Sequence, residues 1–371
     1  MKGIFDDIRV LSLAEQLPGP YATLLLADLG ADVILVERPA GGDPARAFPS
    51  FFRAIGRNKR SLCLDLKSDA GRTDFIALAA DADVVLEGYR PGTMDRLGLG
   101  YAPLSARNPR LIYASITGFG QSGPSRLRPA HDLSYQAVAG MVFGSAGAPA
   151  AMPEIPLGDL SSATFAAFAI AAALYGRERS GHGTAIDVSM TDGLVSWMAP
   201  YLVPHMSGDK AFEVFDEPAY GIFTCSDGKQ LTLSIAHEDH FWATLCHALE
   251  LPQHAGLKAA ERRRRRTELH GEISALLAQQ PRAHWAAAFD TAGNIAWSPL
   301  HDFTGVLQDP HFRARGLFRQ LPSGEEHILQ PVQFSAYDSS IRRGAPGLGE
   351  HTAEILGRDR TPVDTAVKAA G

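Results

Sequence analysis

The stretch of sequence that decides the fold begins with Ile8-Arg9-Val10-Leu11-Ser12-Leu13 and ends with Val33-Ile34-Leu35-Val36. Between these apolar runs, Pro20 opens a helical segment over residues 21–29, and Gly30 follows where many helices end. The second run is apolar throughout, which is typical of a strand covered on both faces of a sheet. A strand, a helix and a second strand in this order predict a βαβ unit with two parallel strands.

The same alternation continues through the first half of the chain. A helical pattern at 70–80 precedes apolar runs at 84–86 and 111–116, and a further strand pattern lies at 185–189. The alanine-rich run at 163–175 ends at Arg177 and is shorter than the roughly 20 residues that cross a bilayer. We interpret it as a helix buried in the core, and the region as an α/β fold with a mostly parallel sheet.

The pattern changes near residue 205. Apolar runs at 221–225 and 230–235 flank the turn Ser226-Asp227-Gly228 and predict a β-hairpin, and helical patterns follow at 259–277 and 282–289. This region is expected to form a second, smaller α+β unit. Strand-like pieces return after Leu317, and a short helix is predicted near Thr352–Leu356.

Composition narrows the classes of function. The 371 residues include 41 acidic and 35 basic side chains, so the formal net charge is −6. A global basic surface for nucleic acid is thereby excluded, and an anionic ligand must meet a local group of cations.

The three cysteines form no close pair, which argues against a disulfide framework and favours a reducing cytoplasm. The N-terminus, with Asp6 and Asp7 and no long apolar core, is not typical of a signal peptide, and no membrane partner is expected.

Two short motifs suggest cofactors but lack the required context. Gly118-Phe119-Gly120-Gln121-Ser122-Gly123 matches a dinucleotide fingerprint, yet Pro124 follows where a helix should open. The histidines of His237-Glu238-Asp239-His240 are three positions apart, whereas a zinc helix motif places them four apart. We therefore predict no nicotinamide site, no metal site and no permanently bound cofactor.

Five consecutive arginines, Arg262 to Arg266, form the most concentrated charge in the chain. Such a run could bind phosphate groups. We favour a solvated face of one surface helix, because Glu261 and Glu268 flank the run and can pair with it along a helix.

Three residues at predicted element ends could carry acid–base or nucleophilic chemistry. Asp159 immediately precedes the apolar helix, where it could cap the helix or act as a partly desolvated base or nucleophile. His131 lies at the mouth of a helical run that Asp132 could cap. Glu238 begins the helix after the second hairpin strand. Backbone N–H groups near Asp159 could also stabilise an oxyanion on a substrate.

Several stretches resemble the class III (CaiB/BaiF) CoA-transferase family, which includes CoA transferases and α-methylacyl-CoA racemases. The resemblance runs in order through most of the chain and weakens at about 205–220 and 250–320. The stretches that carry it are Pro18-Gly19-Pro20-Tyr21-Ala22-Thr23, Leu26-Ala27-Asp28-Leu29-Gly30-Ala31-Asp32-Val33, Val36-Glu37-Arg38, Asn58-Lys59-Arg60-Ser61-Leu62-Cys63-Leu64-Asp65-Leu66-Lys67, Arg90-Pro91-Gly92, Asn108-Pro109-Arg110-Leu111-Ile112-Tyr113, Gly118 to Pro124, and Leu348-Gly349-Glu350-His351-Thr352.

The resemblance implies a particular architecture. A Rossmann-like large domain with a parallel sheet is expected from residues 1–205 and 318–371, which makes it discontinuous. Residues 206–317 are expected to supply linkers and the small α+β domain. Two such chains are expected to interlock as a homodimer.

The resemblance also assigns roles to the candidate residues. It places the family's catalytic aspartate on Asp159, the racemase histidine on His131 and its supporting glutamate on Glu238. Inversion next to a thioester needs a base on each face of the carbon, which a His131/Asp159 pair would supply. Our main interpretation is epimerisation of a 2-methylacyl-CoA. The alternative is a CoA transferase, in which Asp159 forms an anhydride and then a thioester with CoA. Only one glycine, Gly208, lies between residues 205 and 220, where some transferases carry a glycine run, and this leans towards the racemase.

The substrate is expected to contain coenzyme A as part of its thioester. The resemblance places Arg38, Leu64, Lys67 and Arg96 around the nucleotide, with Lys59 and Arg60 as further candidates. It adds Tyr135 and Gly158 as CoA-contacting residues near the reacting group. Cations are needed because the CoA phosphates are anionic.

Overall fold

The computed structural model describes residues 2–142, 151–209, 213–321 and 324–357. The chain forms two compact units. The first unit runs to Ala199 and resumes at Leu317, and the second comprises Pro200–Gly316. Parts of the segments considered in the sequence, residues 210–212 of the glycine-poor stretch and 358–371 of the tail, lie outside the described residues.

The first unit is built on a six-stranded sheet in which every neighbouring pair is parallel. The strand order is β3-β2-β1-β4-β5-β6, so the direction of winding reverses between β1 and β4. Ligands of open α/β sheets bind outside the carboxyl ends of the strands at such a reversal. The strands are β1 (Arg9–Ser12), β2 (Asp32–Glu37), β3 (Lys59–Cys63), β4 (Val84–Glu87), β5 (Ile112–Thr117) and β6 (Ala185–Ser189).

Helices cover both faces of this sheet. Alternate strand residues enter opposite cores, with Val10 packing towards α1 and α7 and Leu11 towards α3, α4 and α5. This confirms the α/β fold with a parallel sheet. The helices are α1 (Pro18–Asp28), α2 (Pro49–Gly56), α3 (Asp69–Ala80), α4 (Thr93–Arg96), α5 (Tyr101–Ser105), α6 (Asp132–Val138), α7 (Leu157–Ser180) and α8 (Met190–Trp197); α9 (Ala199–Ser207) leads into the second unit.

Strand β3 has no apolar pattern, and the sequence did not predict it. Its first residue, Lys59, is fully buried and donates hydrogen bonds to the Pro20 carbonyl (2.6 Å) and to Thr23 Oγ1 (2.9 Å). Burial lowers the pKa of Lys59 to about 7. Hydrogen bonds to α1 thus replace hydrophobic patterning as the reason that this polar segment is buried.

Helix α7 is longer than the predicted apolar core segment and is only partly buried. One face packs on α1 and the sheet, where Arg177 pairs with Asp83 at 2.9 Å. The other face leaves Phe168 71% and Tyr175 67% exposed within the single chain. The expectation of a fully buried helix is therefore wrong for this face. By length and composition α7 could also cross a membrane, but a core helix passes the same test.

The tail returns to the first unit. Backbone N–H groups of Arg342 and Arg343 donate to Asn58 Oδ1, and the N–H of Gly349 donates to Ser61 Oγ (2.8 Å). These contacts seat the segment around the family-like residues 348–352 against β3. The tail contains β10 (Phe318–Gln320), β11 (Glu326–Ile328) and α16 (Thr352–Ile355).

The second unit has a three-stranded antiparallel sheet covered by helices. Its core contains Phe223, Leu231, Trp242, Ile273 and Phe289, all nearly or fully buried. Its elements are β7 (Tyr220–Thr224), β8 (Gln230–Ser234), α10 (Asp239–Ala248), α11 (Ala259–Arg264), α12 (Arg266–Leu277), α13 (Arg282–Ala292), β9 (Trp297–Pro299), α14 (Phe303–Gln308) and α15 (Pro310–Ala314).

The arginine run does not lie on one solvated helix. The chain breaks at Arg265 between α11 and α12, and Arg262 is fully buried. Its guanidinium pairs with Glu217 (2.9 Å) and Asp239 (2.6 Å). The expected surface role holds for the exposed Arg264, whereas Arg262 is a buried tie across the second unit.

Candidate active site at the carboxyl ends of the strands

A cavity of about 640 Å³ opens where β2, β3 and β4 end in the first unit. We call it the strand-end cavity. Four of the predicted CoA-contacting residues, Arg38, Leu64, Lys67 and Arg96, all line it, together with Tyr89. They come from separate loops that only the sheet brings together. The sequence predicted this grouping, and their contact with CoA stays a prediction.

The strand-end cavity also has acidic groups, and the structure neutralises one of them. Burial acts to raise the pKa of Glu37, but Arg46 and Ser61 hold it below its usual value. Arg46 meets both carboxylate oxygens of Glu37 at 2.7 Å. Burial, with Asp43 nearby, raises the pKa of Glu15. The Arg46–Glu37 pair therefore offsets one of the negative charges that line the same cavity as Arg38, Lys67 and Arg96.

Two further predicted cations are not placed to bind a ligand there. Lys59 is fully buried against α1 and does not line the strand-end cavity. Arg60 pairs with Asp32 (2.6 Å) and Glu354 (3.0 Å). Both suggestions are wrong for this structure, because tertiary contacts already use these charges.

A second cavity, of about 480 Å³, lies beside the first and shares Tyr89 with it. We call it the histidine cavity, because His131 lines it together with Tyr135, Arg126 and Arg128. The Tyr135 hydroxyl donates to the Ala130 carbonyl at 2.8 Å, which fixes the ring on the loop that carries His131. The two cavities thus form neighbouring compartments along one edge of the sheet.

The Tyr135 ring occupies the space that a side chain at Gly118 would fill. A Cβ at residue 118 would lie 2.5 Å from the ring, and real side chains do not approach so closely. The ring also meets Phe119 edge-on, with centroids 5.5 Å apart. The glycine-rich segment therefore serves as a packing surface for Tyr135 instead of opening a dinucleotide-binding helix.

Asp159 lies at the third position of α7 and does not cap it. The helix is instead capped by a residue far away in sequence. Asp132 Oδ1 accepts hydrogen bonds from the N–H groups of Gly158 (2.7 Å) and Asp159 (3.0 Å). A Cβ at residue 158 would lie 2.9 Å from the same oxygen, so a larger residue there would displace the Asp132 carboxylate. The capping interpretation of Asp159 is wrong, as is the idea that Asp132 caps its own helix. The Asp159 side chain is therefore not used to cap α7.

The Asp159 carboxylate has unusual electrostatics. Burial, and secondly the nearby Asp132 carboxylate, raise its pKa to about 6. A position in the first turn of a helix would favour the ionised form, so burial and the like charge outweigh the helix dipole. Among the described residues, none donates a hydrogen bond to this carboxylate or pairs with it. A partly desolvated carboxylate without a bound partner is suited to act as a base or nucleophile.

The helix N-terminus is not open to an oxyanion. The N–H groups of Gly158 and Asp159 donate to Asp132, that of Leu157 to the Ile155 carbonyl (2.9 Å), and that of Leu160 to the Pro156 carbonyl (3.1 Å). The expectation that N–H groups beside Asp159 stabilise an enolate is therefore wrong for this conformation. Gly158 likewise offers its N–H to Asp132 and has none left for CoA.

Glu238 belongs to the second unit and precedes α10. Its Oε2 accepts a hydrogen bond from the Ala236 N–H at 3.0 Å. Hydrogen bonds from its own backbone and from Ala236 lower its pKa, so it is a carboxylate at neutral pH. Its predicted support of the His131 imidazole stays a prediction. Within the described part of the chain, no group of three His, Cys, Asp or Glu side chains could hold a metal ion.

Comparison with known proteins settles the family. The model of CoA-transferase family III matches residues 5–352. This chain belongs to CoA-transferase family III. An acetyl-CoA:oxalate CoA-transferase of Acetobacter aceti is 34% identical over 383 residues, 95% of each chain. A succinyl-CoA:mesaconate CoA-transferase of Haloarcula hispanica is 35% identical over 394 residues, 95% of this chain and 96% of that protein.

The fold comparison agrees with the family. A crystal structure of a CAIB/BAIF family protein from Brucella suis has a TM-score of 0.86 and 30% identity, and it covers 96% of this chain and 99% of that one. The family resemblance predicted from sequence is thus confirmed. The names of the relatives are those of transferases, so they favour the transferase alternative and leave epimerisation unconfirmed.

Sequence reasoning missed two features of the site. The first is Asp132, whose bond to α7 spans 26 residues and has no local signature in the sequence. The second is the set of arginines around the histidine cavity. Arg90 stands within a stretch already quoted for the resemblance, and a search for cations near His131 would have found Arg126 and Arg128.

Proposed function

We propose that this enzyme transfers CoA between carboxylic acids, with Asp159 as the nucleophile. The observation that carries the proposal is the free, largely buried Asp159 carboxylate, whose pKa is raised to about 6. At neutral pH such a group is mostly ionised, and it keeps more basicity than an exposed aspartate. The transferase names of the relatives support this choice over epimerisation.

The proposed reaction proceeds through covalent intermediates on Asp159. A carboxylate oxygen of Asp159 attacks the thioester carbon and the C–S bond breaks. CoA departs as the thiolate, and the acyl group and Asp159 form a mixed anhydride. The thiolate then attacks the aspartyl carbonyl and releases the first acid, which leaves an Asp159–CoA thioester. An acceptor carboxylate then attacks the Asp159–CoA thioester, which releases CoA thiolate and forms a new mixed anhydride. The thiolate attacks the acyl carbon of the acceptor, so the new acyl-CoA forms, the Asp159 carboxylate is regenerated and no water is consumed.

Binding of the nucleotide end of CoA is assigned to the strand-end cavity. Arg38 and Arg96 are held by local bonds, from Arg38 Nε to the Gly42 carbonyl (2.9 Å) and from Arg96 to Thr93 Oγ1 (3.0 Å). With Lys67 they offer three cations to phosphate groups. The pantetheine arm would then pass Tyr89 towards the histidine cavity, which contains His131 and Tyr135.

We also propose that the enzyme works as a cytoplasmic homodimer with interlocked chains. Support comes from the exposed apolar side chains of α7, Phe168 and Tyr175, which a single chain leaves in water. Light scattering coupled to gel filtration tests the dimer. A monomeric mass at micromolar concentration would contradict it.

Epimerisation of a 2-methylacyl-CoA is the second candidate, because His131 lines the same cavity as Tyr135, whose pKa is raised by burial and then by the charge of Asp159. The occupied N–H groups at the start of α7 weigh against enolate stabilisation there. In this reaction His131 and Asp159 would exchange the α-proton from opposite faces.

One experiment separates the two candidates. The enzyme is incubated with an acyl-CoA and a second acid, and also with a 2-methylacyl-CoA alone in heavy water. We expect CoA transfer, together with a hydroxylamine-sensitive adduct on the peptide that contains Asp159. Asp159→Ala should lose transfer by about 10³-fold or more, while the exposed Glu154→Gln retains it. Deuterium uptake without an acceptor, and no transfer, would refute the proposal in favour of the racemase.

A further inference from the structure

Glu87 is a buried acid that the proposed reaction does not use. It ends β4, it is 4% exposed, and it lines neither the strand-end cavity nor the histidine cavity. It lines instead a third cavity, of about 280 Å³, together with Asp95, Asp187 and Arg90. No residue that the structure describes forms an ion pair with Glu87, although Arg90 lines the same cavity.

Hydrogen bonds take the place of an ion pair at this carboxyl. Burial raises the pKa of Glu87, and the bonds from Ser115 and from the Tyr89 N–H offset that effect only in part. The carboxylates of Asp95 and Asp187 raise the pKa further. A buried acid costs free energy that an apolar side chain would not. The two hydrogen bonds are therefore the contribution that an apolar side chain of the same size would not make.

One of these bonds holds the loop that follows β4. Glu87 Oε2 accepts the N–H of Tyr89 at 2.8 Å. The other partner, Ser115, is in register with Glu87 on the neighbouring strand β5, so the carboxyl is tied to the sheet while it holds the loop. Tyr89 lines both the strand-end cavity and the histidine cavity. Glu87 thus fixes the residue that the two cavities share.

We propose that Glu87 is a positioning residue, which holds Tyr89 where the two cavities meet so that the pantetheine arm of an acyl-CoA passes from one cavity to the other. This inference rests on the proposed CoA transfer, in which the nucleotide binds in the strand-end cavity. Glu87 lines neither of these cavities, so it acts through Tyr89 and does not touch the substrate. The affected part of the substrate is the arm, because the nucleotide is assigned to other residues.

Two substitutions of similar size isolate the hydrogen bond to the loop. Glu87→Gln keeps an oxygen that accepts the Tyr89 N–H, whereas Glu87→Met supplies a thioether, which accepts only weakly. Glu87→Met should raise the KM for an acyl-CoA and for the matching acyl-pantetheine by the same factor, about tenfold, because the loop loses one hydrogen bond. Glu87→Gln should keep both KM values within about twofold of wild type.

Asp83→Asn is the control for a loss of stability alone. Asp83 immediately precedes β4 and pairs with Arg177 at 2.9 Å, but it lines neither cavity. This variant should unfold at a lower temperature than wild type while both KM values stay within about twofold. Arg38→Ala provides the opposite pattern, since it should raise the KM for the acyl-CoA and leave that for the acyl-pantetheine unchanged.

Thermal unfolding checks that Glu87→Met is folded. If it is not, Ser115→Ala takes its place, because it frees the carboxyl from β5, and both KM values should rise together by about threefold. Unchanged KM values would refute the inference. A rise for the acyl-CoA alone would also refute it, as would an equal rise in Glu87→Gln.

Failure of the proposed function would be visible separately, as an absence of CoA transfer by wild type. Calorimetric dissociation constants for the acyl-CoA and the acyl-pantetheine then replace the KM values. An equal rise of both constants in Glu87→Met would support the role of Glu87. Constants that do not change, or an absence of binding by wild type, would refute it.

Discussion

Asp132 caps the helix that carries Asp159, since its Oδ1 accepts a hydrogen bond from the Asp159 N–H at 3.0 Å and a second one from Gly158. A carboxylate at a helix N-terminus is stabilising. Here the cap also sets a negative charge next to the proposed nucleophile. One side chain thus fixes the start of α7 and, after burial, contributes to the raised pKa of Asp159.

Asp132→Asn should shift the pH profile without removing the cap. The amide oxygen can still accept both N–H bonds, but the negative charge is gone, so the pKa of Asp159 should fall part of the way from about 6 towards its ordinary value. We expect the acid limb of kcat/KM to move to lower pH. The bond from Gln136 Nε2 to Asp132 Oδ2 is lost, because an amide NH2 group replaces that oxygen, at a cost of about 1 kcal/mol.

Asp132→Ala is the comparison for that variant. It removes the charge and the cap together, and it should destabilise the protein by about 0.5–2 kcal/mol. An acid limb that stays in place in Asp132→Asn would show that burial alone sets the pKa of Asp159.

Asp159→Asn should stabilise the protein while abolishing transfer. The folded pKa, about 6, exceeds the unfolded value near 3.8, so the folded state binds more protons in this window and loses stability as pH rises through it. Above the window the cost is at most about 3 kcal/mol. The variant should therefore be more stable than wild type at pH 8, and the gain should shrink towards pH 4.

Urea unfolding at several pH values measures this difference. Glu154→Gln, which neutralises an exposed acid nearby in sequence, is the control and should leave stability nearly unchanged. A variant that is no more stable than wild type at pH 8 would contradict the raised pKa.

Removing the cations of the strand-end cavity should weaken binding of CoA thioesters. Arg38→Ala, Lys67→Ala and Arg96→Ala should each raise the KM for the acyl-CoA about tenfold, because each is expected to lose one charge-assisted bond to phosphate. An acyl-pantetheine lacks the nucleotide, so its KM should not change. If its KM rises as much as that of the acyl-CoA, these residues do not hold the nucleotide.

The arginine run offers a matched pair for stability. Arg262→Ala would leave Glu217, which is 2% exposed, short of its closest partner, and should cost about 3 kcal/mol. This lies at the lower end for a broken buried pair, because Arg263 still contacts Glu217. Arg264→Ala, at a 74% exposed side chain, should cost less than about 0.5 kcal/mol. Equal costs in chemical denaturation would contradict the buried role of Arg262.

Most of the first unit was predictable because its strands follow a simple rule. Strands covered on both faces are apolar throughout, and the predicted segments near residues 33, 84 and 112 coincide with β2, β4 and β5. Strand β3 was not predicted, because its polar residue Lys59 is buried through hydrogen bonds to α1. The exposed face of α7 was not predicted either, since an apolar pattern does not show which faces of a helix are covered by other elements of the same chain.

The sequence predicted which residues belong to the site, but not which of them are already paired with other residues. Family-like stretches pointed to Asp159, His131, Arg38, Lys67 and Arg96, and the structure places the last three in one cavity. Their local sequence does not reveal which charges are already paired. Arg60 and Arg262 are paired within the fold, whereas Arg126 and Arg128 have no acidic partner among the residues that the structure describes, and these four look alike in the sequence.

The sequence by itself determined the family, the parallel sheet and the identity of the proposed nucleophile, because hydrophobic periodicity and family-like stretches are local properties of the chain. The tertiary structure decided what caps α7, which cations stay free and how the Asp159 pKa is set. These depend on pairs of residues far apart in sequence, such as Asp132 and Asp159, whose distance only the folded chain defines.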